Sequence, residues 1–418
     1  MTAASAPPQR ESARQVGARL HAPGAHLGPL PVTNLVVLEI GVALGLVLLA
    51  IHPGLWWAAV LVAPSAVPLA VGRWHGRWLV RWIQLSGRYL VRSHGRSLPS
   101  VASSPAAGDP RAQVLNLLIP DLTIVSGVDR RHEPVGFAWH RGAWTAVLQV
   151  DAGASMIAPI NSTAGIAGLP LGSLASCLED RGVVLDAIQV VWHCYPGNAA
   201  LPPSSPALRS YLEVLGPLPA AAPRTTWIAV RLDPRRCPAA VAERGGGVTG
   251  CHRTLIAALS RVRARLQTRG VTARPLDAEQ LLHAGVCAAE LSDVAAAASD
   301  GRPVALSEGW ATITAAGVGH ASYAISGWGT TGPVPNLTAL TGVHALSTTV
   351  ALWISPSQGT GEVGLRGLVR VSARNPAELE AADERLRSVS QQIRVVLRPL
   401  GGLQGAGLAA TLPLGASG

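Results

Sequence analysis

Two long apolar runs near the N-terminus constrain this chain more than any other feature. Residues 32–51 (VTNLVVLEIGVALGLVLLAI) form the first run, and residues 55–72 (LWWAAVLVAPSAVPLAVG) form the second after an HPG break. As helices they would be roughly 27–30 Å long, which matches the hydrocarbon core of a bilayer. The first run starts too far along the chain for a signal peptide. The sequence therefore predicts transmembrane helices at 31–52 and 54–72; a buried hairpin of a soluble protein is the remaining alternative.

The distribution of arginine predicts the orientation of this hairpin. Residues 1–30 carry three arginines against one glutamate, and residues 73–112 carry seven arginines against one aspartate. Basic flanks stay on the cytoplasmic side of a membrane. The sequence thus predicts an inner-membrane protein whose 1–30 tail, C-terminus and main domain are cytoplasmic. Glu39, the one charged residue within a run, is expected to face a partner helix or to snorkel towards water.

The position of the charged residues and the number of cysteines limit which partners and which compartment the main domain is expected to have. The formal net charge of +10 is concentrated beside the predicted membrane spans, which argues against a nucleic-acid surface elsewhere. The five cysteines are odd in number and include no CxxC pair, a usage typical of a reducing compartment.

A segment rich in arginine and tryptophan follows the second run, and residues 73–94 are predicted to form one juxtamembrane helix. Both residue types recur at a spacing of four, which on a helix places a basic stripe beside an indole stripe. Arginine suits anionic headgroups and tryptophan suits the interface, so contact with anionic lipids is expected. Docking to a partner protein, and a plain continuation of the second helix, stay open. The predicted lipid-facing residues are Arg73, Trp74, Arg77, Trp78, Arg81, Trp82, Arg88 and Arg92.

The rest of the chain alternates strand-like and helix-like segments after a Pro- and Ser-rich linker at 95–113. This alternation predicts a cytoplasmic, mixed α/β domain built in layers. Each half runs hairpin, strand pair and long helix, which indicates two similar lobes at 114–300 and 301–418. The elements that matter most below are a strand at 183–193, helices at 252–269 and 376–397, a helix capped by Asp277 with Gln280, and a last strand, LAATLPL, at 408–414.

The stretch ERGGGVTGCHRT, which begins at Glu243, is the strongest candidate for a ligand site. Gly245, Gly247 and Gly250 satisfy GxGxxG, a pattern that cradles phosphates in dinucleotide-binding folds. That fingerprint needs a strand that ends at the first glycine, and here the preceding predicted strand ends well before it. A Walker loop would need Lys and Ser/Thr where a Cys-His pair stands. The pattern favours a structural glycine turn at the start of a helix over a nucleotide site.

The Cys-His motifs of the sequence give little support for a metal site or a catalytic site. Adjacent residues on a strand point to opposite faces, so a Cys-His couplet offers a single zinc ligand, and packed small residues are the favoured interpretation. Sequence neighbours rarely have the geometry of a nucleophile and its base. We therefore predict no catalytic residue, no metal site and no cofactor. The couplets are His193-Cys194, Cys251-His252, and His283 with Cys287.

The run from 224 to 282 resembles the EccE family of actinobacterial type VII secretion systems. The resemblance rests on TWIAVRLDP, on the ERGGGxxG loop, on His252-Arg253 at the start of a helix, and on RPLDAEQLL. Two N-terminal spans followed by a basic segment are also similar to the architecture of that family. The loop residues expected to act in structure or interaction are Glu243, Arg244, Gly245, Gly246, Gly247, Gly250, His252 and Arg253.

The resemblance implies a structural subunit of the inner-membrane export machine with no catalysis of its own. It implies partners among the other core subunits, namely EccB, the EccC ATPase, EccD and the mycosin protease, with EccD as the expected direct contact. The residues alone leave two alternatives open. One is a membrane-anchored α/β enzyme, glycosyltransferase-like or nucleotide-binding, and the other is a membrane module that binds anionic lipids.

Overall fold

The computed structural model covers most of the chain. The predicted cytoplasmic tail at 1–30 lies almost entirely outside the described residues, as does the middle of the predicted linker. The described residues are 26–27, 30–51, 54, 56–74, 77–98, 109–129, 131–151, 169–195, 224–292, 304–315, 317–329, 337, 339–357 and 363–416.

Ten α-helices and one short 3-10 helix, Pro234–Arg236, occur in the described part of the chain. The α-helices are α1 (Val32–Ile51), α2 (Trp56–Val71), α3 (Leu79–Val91), α4 (Pro110–Leu118), α5 (Leu171–Ala175), α6 (Pro238–Glu243), α7 (Gly247–Gln267), α8 (Ala278–Ala288), α9 (Pro376–Gln392) and α10 (Gln404–Ala410).

The strands of the first half are β1 (His26–Leu27), β2 (Leu30–Pro31), β3 (Arg73–Trp74), β4 (Arg77–Trp78), β5 (Gly95–Leu98), β6 (Thr123–Val128), β7 (Pro134–His140), β8 (Ala143–Val150), β9 (Glu179–Asp180), β10 (Val183–Val184), β11 (Ala187–Cys194), β12 (Arg224–Leu232) and β13 (Ala273–Pro275). Those of the second half are β14 (Val304–Glu308), β15 (Ile313–Ala315), β16 (Val318–Gly327), β17 (Ser347–Pro356), β18 (Val363–Ala373) and β19 (Val396–Pro399).

One 13-stranded sheet organises the domain. Its order is β5-β14-β15-β16-β18-β17-β11-β12-β8-β7-β6, with β13 added on β8 and β19 on β16. All of these pairs are antiparallel, and the two halves of the chain meet where β11 lies beside β17, with Ile188 opposite Ile354. The α/β class is confirmed, and the sheet that realises it is antiparallel.

The two halves of this sheet repeat one strand order. From the centre outwards, the first half runs β11-β12-β8-β7-β6 and the second runs β17-β18-β16-β15-β14. The sequence RPL occurs in both halves, and its leucine makes the same bond in each. Leu276 N donates to Val147 O at 2.9 Å, and Leu400 N donates to Ser322 O at 3.0 Å. This correspondence is what the predicted pair of lobes requires, although the sheet is continuous and the division into lobes stays a prediction.

Helices cover both faces of the sheet, so the central strands are apolar on both sides. On one face, α7 and α9 bury their apolar stripes against the sheet. On the other face lie α4, α8 and α10. Along β11 the side chains alternate between the two cores, with Trp192 in the first and Val191 in the second. The helix capped by Asp277 is confirmed as α8, and Asp277 and Gln280 form a complete capping box.

Several predicted bounds are corrected by the structure. The helix expected at 252–269 begins at Gly247, so Cys251 and His252 are helical. The helix expected at 376–397 ends at Gln392, because Arg394 adopts a left-handed φ of 55° and Val395 N donates back to Ser390 O.

The predicted last strand, LAATLPL, is wrong. Residues 404–410 form α10, and Leu408, Ala410 and Leu412 are almost fully buried. A helix that is apolar all round has no period that distinguishes it from a buried strand. The strand expected at 183–193 is divided into β10 and β11, and the linker expected at 95–113 contains β5 and the start of α4.

Candidate membrane and assembly interface

Helices α1 and α2 form a closely packed antiparallel pair. The residues of α1 that are buried are Asn34, Gly41 and Gly45, and those of α2 include Ala66 and Ala70. Two glycines four residues apart let helix backbones approach closely in an apolar environment. Asn34 Nδ2 donates to Ala70 O at 2.6 Å and ties the ends of the pair together. The sequence prediction passed over Asn34, although a polar residue at the start of an apolar run was the available signal.

The two helices differ in whether they are long enough to cross a membrane. Of the described helices, α1 alone is long and apolar enough to cross a bilayer by length and composition. The 16 residues of α2 fall short of that length, and Pro64 and Pro68 lie inside it. Glu39 is exposed on α1.

The juxtamembrane segment is not one helix from residue 73. Residues 73–74 (β3) pair with residues 77–78 (β4), and α3 begins at Leu79, whose N–H donates to Gly72 O at 2.9 Å. The Arg73 guanidinium lies over the Trp78 ring at 4.1 Å. The β3–β4 pair interrupts the four-residue stripe, so the first part of the stripe does not share a helix face with the rest. The side chains of Trp74 and Arg77 lie outside the described residues.

Helix α3 docks on the edge of the domain through its aromatic residues. The ring of Trp310 packs edge-on against both Trp82, at 6.2 Å, and Tyr89, at 5.1 Å between centroids. Arg81 and Arg88 remain exposed on α3. On α3 the two predicted stripes therefore differ in their surroundings. Trp82 contacts the domain, whereas Arg81 and Arg88 are exposed.

The end of α3 is fixed to the sheet by ionic and backbone contacts. Arg92 Nη2 lies 2.7 Å from Glu308 Oε1, and that carboxylate also accepts from Gly405 N at 2.9 Å. Strand β5 then pairs with β14, and Arg96 Nη1 donates to Leu117 O at 2.7 Å. The segment that leaves the helical hairpin is therefore an integral edge of the domain.

The glycine loop is a tight backbone turn between α6 and α7. Gly245, Gly246 and Gly247 have φ of 106°, 65° and 53°, values that favour glycine. Gly246 N donates to Val241 O at 3.0 Å, which closes the end of α6. A Cβ on Gly250 would lie 2.3 Å from Val241 O, so the two helices touch at this glycine.

The side chains of Arg244, His252 and Arg253 contact α6, the loop itself or the neighbouring sheet. Arg244 Nη1 donates to Ala240 O at 2.7 Å, and Arg253 Nη1 donates to Arg244 O at 3.2 Å. The His252 ring stacks on Phe137 at 4.1 Å and meets Trp144 edge-on. Burial there lowers the pKa of His252. Glu243 is exposed. This arrangement accounts for the loop as a brace between two helices and the sheet.

A buried polar network that the sequence did not reveal lies where the two halves meet. His193 Nδ1 lies 2.8 Å from Thr349 Oγ1, and its Nε2 lies 3.3 Å from Glu290 Oε1. Tyr195 Oη donates to Glu290 Oε2 at 2.6 Å. Arg370, which is fully buried, donates to Thr349 Oγ1 at 2.8 Å and to a carbonyl at the end of α8. Only the fold brings these five residues together.

The protonation states of this network are set by burial and by neighbouring charge. Burial raises the pKa of Glu290, but His193, Ser347 and Tyr195 outweigh it and the net pKa is lowered. Burial lowers the pKa of Arg370 to about 10. The pKa of Tyr195 is raised by burial and by the Glu290 charge.

A hydroxyl, an imidazole and a carboxylate in series resemble a catalytic relay. Here Thr349 is fully buried between the sheet and α8, and His193 is 1% exposed. A nucleophile must reach its substrate, so this series acts in packing.

Among the Cys-His couplets, His193, Cys194 and Cys251 are buried and act in packing, whereas His283 is exposed. His193 and Cys194 are neighbours on β11 and point to opposite faces, and Cys194 Sγ accepts from Arg224 Nε at 3.2 Å. His283 Nε2 lies 3.4 Å from Cys287 Sγ. Within the described residues no group of three metal-ligand side chains occurs.

The glycine loop lies within the part of the chain whose sequence matches a known protein family. Residues 220–325 match the family described as "Putative type VII ESX secretion system translocon, EccE". Over these residues the chain is similar to the EccE family. The matched region holds β12, α7, the glycine loop and the RPL motif before α8, which are the parts that the sequence resemblance rested on.

Individual EccE proteins show the same similarity. Over 190 residues the chain is 30% identical to the ESX-1 secretion system protein EccE1 of Mycolicibacterium smegmatis, covering 44% of this chain and 35% of that protein. It is 30% identical over 155 residues to the ESX-5 secretion system protein EccE5 of Mycobacterium marinum, covering 36% and 38%. It is 40% identical over 77 residues to the ESX-1 protein EccE1 of Mycobacterium tuberculosis, covering 18% and 16%. The chain thus spans, at most, little more than a third of the length of these relatives.

Proposed function

We propose that this chain is a structural subunit of a type VII secretion complex in the inner membrane. The observation that carries the proposal is the match of residues 220–325 to the EccE translocon family. Relatives named for ESX-1 and ESX-5 systems support it. The subunit holds a cytoplasmic α/β domain against the membrane and contributes to assembly of the export machine.

Membrane anchoring by both α1 and α2 is supported by the surface of the pair. Large apolar side chains that face away from the partner helix are exposed, among them Leu46, Ile51, Trp56 and Leu61. An apolar surface this continuous is stable in lipid and not in water. In this arrangement α2 spans a thinned section of bilayer with help from its flanking arginines. Both termini and the domain then lie in the cytoplasm.

The partners we propose are the other core subunits, with EccD in direct contact through the membrane hairpin, together with EccB, the EccC ATPase and the mycosin protease. Anionic lipids contact the exposed arginines of α3. The glycine loop braces the domain and offers exposed Glu243 and Val248 to a neighbour. No catalysis is assigned, because the buried His193 network is closed off and the loop arginines bond backbone carbonyls.

A native gel of mildly solubilised membranes tests the assembly role. The protein carries a C-terminal affinity tag, and we expect it in a species far larger than its 43.1 kDa, together with a multi-spanning protein and an ATPase. A Gly41→Leu variant, which forces α1 and α2 apart, is expected to lose the large species. A matched Leu44→Ile change on the lipid side is expected to keep it. Migration of the wild-type chain as a lone monomer or dimer would refute the scaffold role.

Topology is tested separately by cysteine labelling in intact cells. Gly54→Cys, between α1 and α2, is expected to react with a membrane-impermeant maleimide from outside. Glu384→Cys, on the exposed face of α9, is expected to react only after the cells are lysed. The unaltered chain gives the background from its five native cysteines. Labelling of Glu384→Cys in intact cells, or protection of Gly54→Cys, would contradict the proposed orientation.

A further inference from the structure

A small cavity lies where the segment after α3 meets the domain. Its volume is about 180 Å³, and its walls come from that segment, the end of α4, the β7–β8 turn, β14 and α10. At roughly 30 Å³ per water molecule, the space suits a ligand of several heavy atoms and not a large organic molecule. The charged and titratable residues that line it are Arg92, His94, Arg96, His140, Arg141 and Glu308.

The charge of this lining is strongly unbalanced. Three guanidinium groups face a single carboxylate, whereas burial and the nearby arginines lower the pKa of His140, so that its imidazole is neutral and contributes hydrogen bonds. That carboxylate, Glu308, is already engaged by Arg92 and by Gly405 N. Arg141 is exposed at the rim, and no ion-pair partner for it occurs among the described residues. Excess positive charge in a partly enclosed space attracts an anion and disfavours a metal ion.

Buried polar atoms without a partner also belong to the lining residues. His140 is 7% exposed, and its Nδ1 makes no hydrogen bond within the described part of the chain. The Nε2 of His94 is likewise buried and, among those residues, unpartnered. Buried polar atoms are nearly always hydrogen-bonded, so two in the lining of one cavity indicate a ligand that completes them.

The position of Arg141 supports the same conclusion. Arg141 and Gly142 have φ of 50° and 83°, the two left-handed positions of a tight hairpin turn. Asparagine, aspartate or glycine is the favoured first residue of such a turn, and arginine is not. The arginine therefore departs from local preference at a place where it lines the cavity.

We propose that this cavity binds a phosphate group, held by the guanidiniums of Arg96 and Arg141 and by the imidazoles of His94 and His140. Guanidinium groups match the geometry of phosphate oxygens, and charge-assisted bonds to phosphate are strong. The phosphate belongs either to a soluble phosphate or to an anionic lipid headgroup. The second source rests on the proposed membrane anchoring, whereas the site itself does not.

Inorganic phosphate is the first probe, titrated into the full chain in a neutral detergent and followed calorimetrically. We expect saturable binding that weakens about tenfold or more in Arg141→Gln, because one charge-assisted contact is lost. Arg96→Gln is a second variant with the same expectation. Arg394→Gln is the matched control, since Arg394 is also exposed and also has a left-handed φ, but does not line this cavity.

The control and the lipid competition decide the outcome. Absence of saturable phosphate binding, or equal weakening by Arg394→Gln, would overturn the site. Short-chain phosphatidic acid that displaces phosphate, where the matched phosphatidylcholine does not, identifies the source as an anionic headgroup. Displacement by neither lipid identifies a soluble phosphate and leaves the site standing. None of these results depends on assembly, which the native gel measures independently.

Discussion

Arg92 and Glu308 join the juxtamembrane helix to the central sheet through an ion pair of 2.7 Å. Arg92 is the residue directly after α3, and Glu308 ends β14. Glu308 is 8% exposed, so its charge is held largely away from water and paired in place. The contact means that the domain and the membrane-side segment form one structural unit.

Removal of this carboxylate charge is expected to loosen the junction. Glu308→Gln keeps an oxygen that accepts from Gly405 N but loses the ion pair, which we expect to contribute about 1 kcal/mol because Arg92 is partly solvated. Limited trypsin digestion of the detergent-solubilised chain is expected to cut faster after Arg92 and Arg96. Glu384→Gln, an exposed change on α9, is the control, and equal cleavage rates in both variants would contradict the proposed junction.

The contact between α6 and α7 predicts a strong effect at Gly250. Gly250→Ala places a Cβ 2.3 Å from Val241 O, and we expect a loss of between about 1 and 3 kcal/mol of folding free energy. Thermal unfolding of the full chain in detergent measures it. Gly172→Ala in α5 has no atom within 4 Å of its new Cβ and is expected to be neutral or stabilising. Unchanged stability of Gly250→Ala would mean that the helices separate easily.

Gly246→Val tests the backbone of the glycine loop. Gly246 has φ 65° and ψ 175°, a region that is essentially limited to glycine, so valine is expected to harm folding by about 1–3 kcal/mol although no atom clashes with its Cβ. Thermal unfolding and an ATP titration of the same variant separate the two interpretations. Loss of a saturable ATP-binding activity, rather than of stability, would favour the nucleotide-binding alternative.

The buried network predicts non-additive effects at Arg370 and Glu290. Arg370→Met removes a guanidinium whose charge interacts favourably with the Glu290 carboxylate, and we expect a loss of about 3 kcal/mol or more. Addition of Glu290→Gln should then cost less than it does alone, with a coupling of roughly 1–3 kcal/mol. Arg366→Met, exposed on the same strand, is the control. Strict additivity in chemical unfolding would show that the two groups do not interact.

Acid is expected to destabilise the domain through His320. Burial lowers the pKa of His320 to about 3, from an ordinary value of 6.5, so the unfolded chain binds a proton that the folded chain does not between these values. Stability is therefore full above pH 6.5 and falls as the pH drops, by about 2 kcal/mol between pH 7 and 5. His320→Gln should flatten this slope in thermal unfolding, and exposed His344→Gln should not. An unchanged slope in His320→Gln would exclude His320 as the cause.

Only part of the membrane and assembly interface could be predicted from the sequence. The basic and aromatic spacing indicated that the segment after α2 is special, but whether Trp82 faces lipid or Trp310 depends on a residue more than two hundred positions away. The glycine spacing indicated a turn at the start of a helix, and its φ values agree with that interpretation. The cavity beside Arg141 had no signal in sequence, because its residues come from separate segments of the chain.

Local chemistry could be read from the amino-acid order alone: the two apolar runs, the capping box of Asp277 and Gln280, the glycine turn, and the motifs that indicate the EccE family. Each depends on neighbours within a few residues, where spacing and side-chain type are decisive. Long-range packing settled which face each strand buries, that β11 pairs with β17, and that LAATLPL begins within a helix and contains no strand. These outcomes depend on burial against distant segments, and a fully buried stretch carries no periodicity from which its partners can be read.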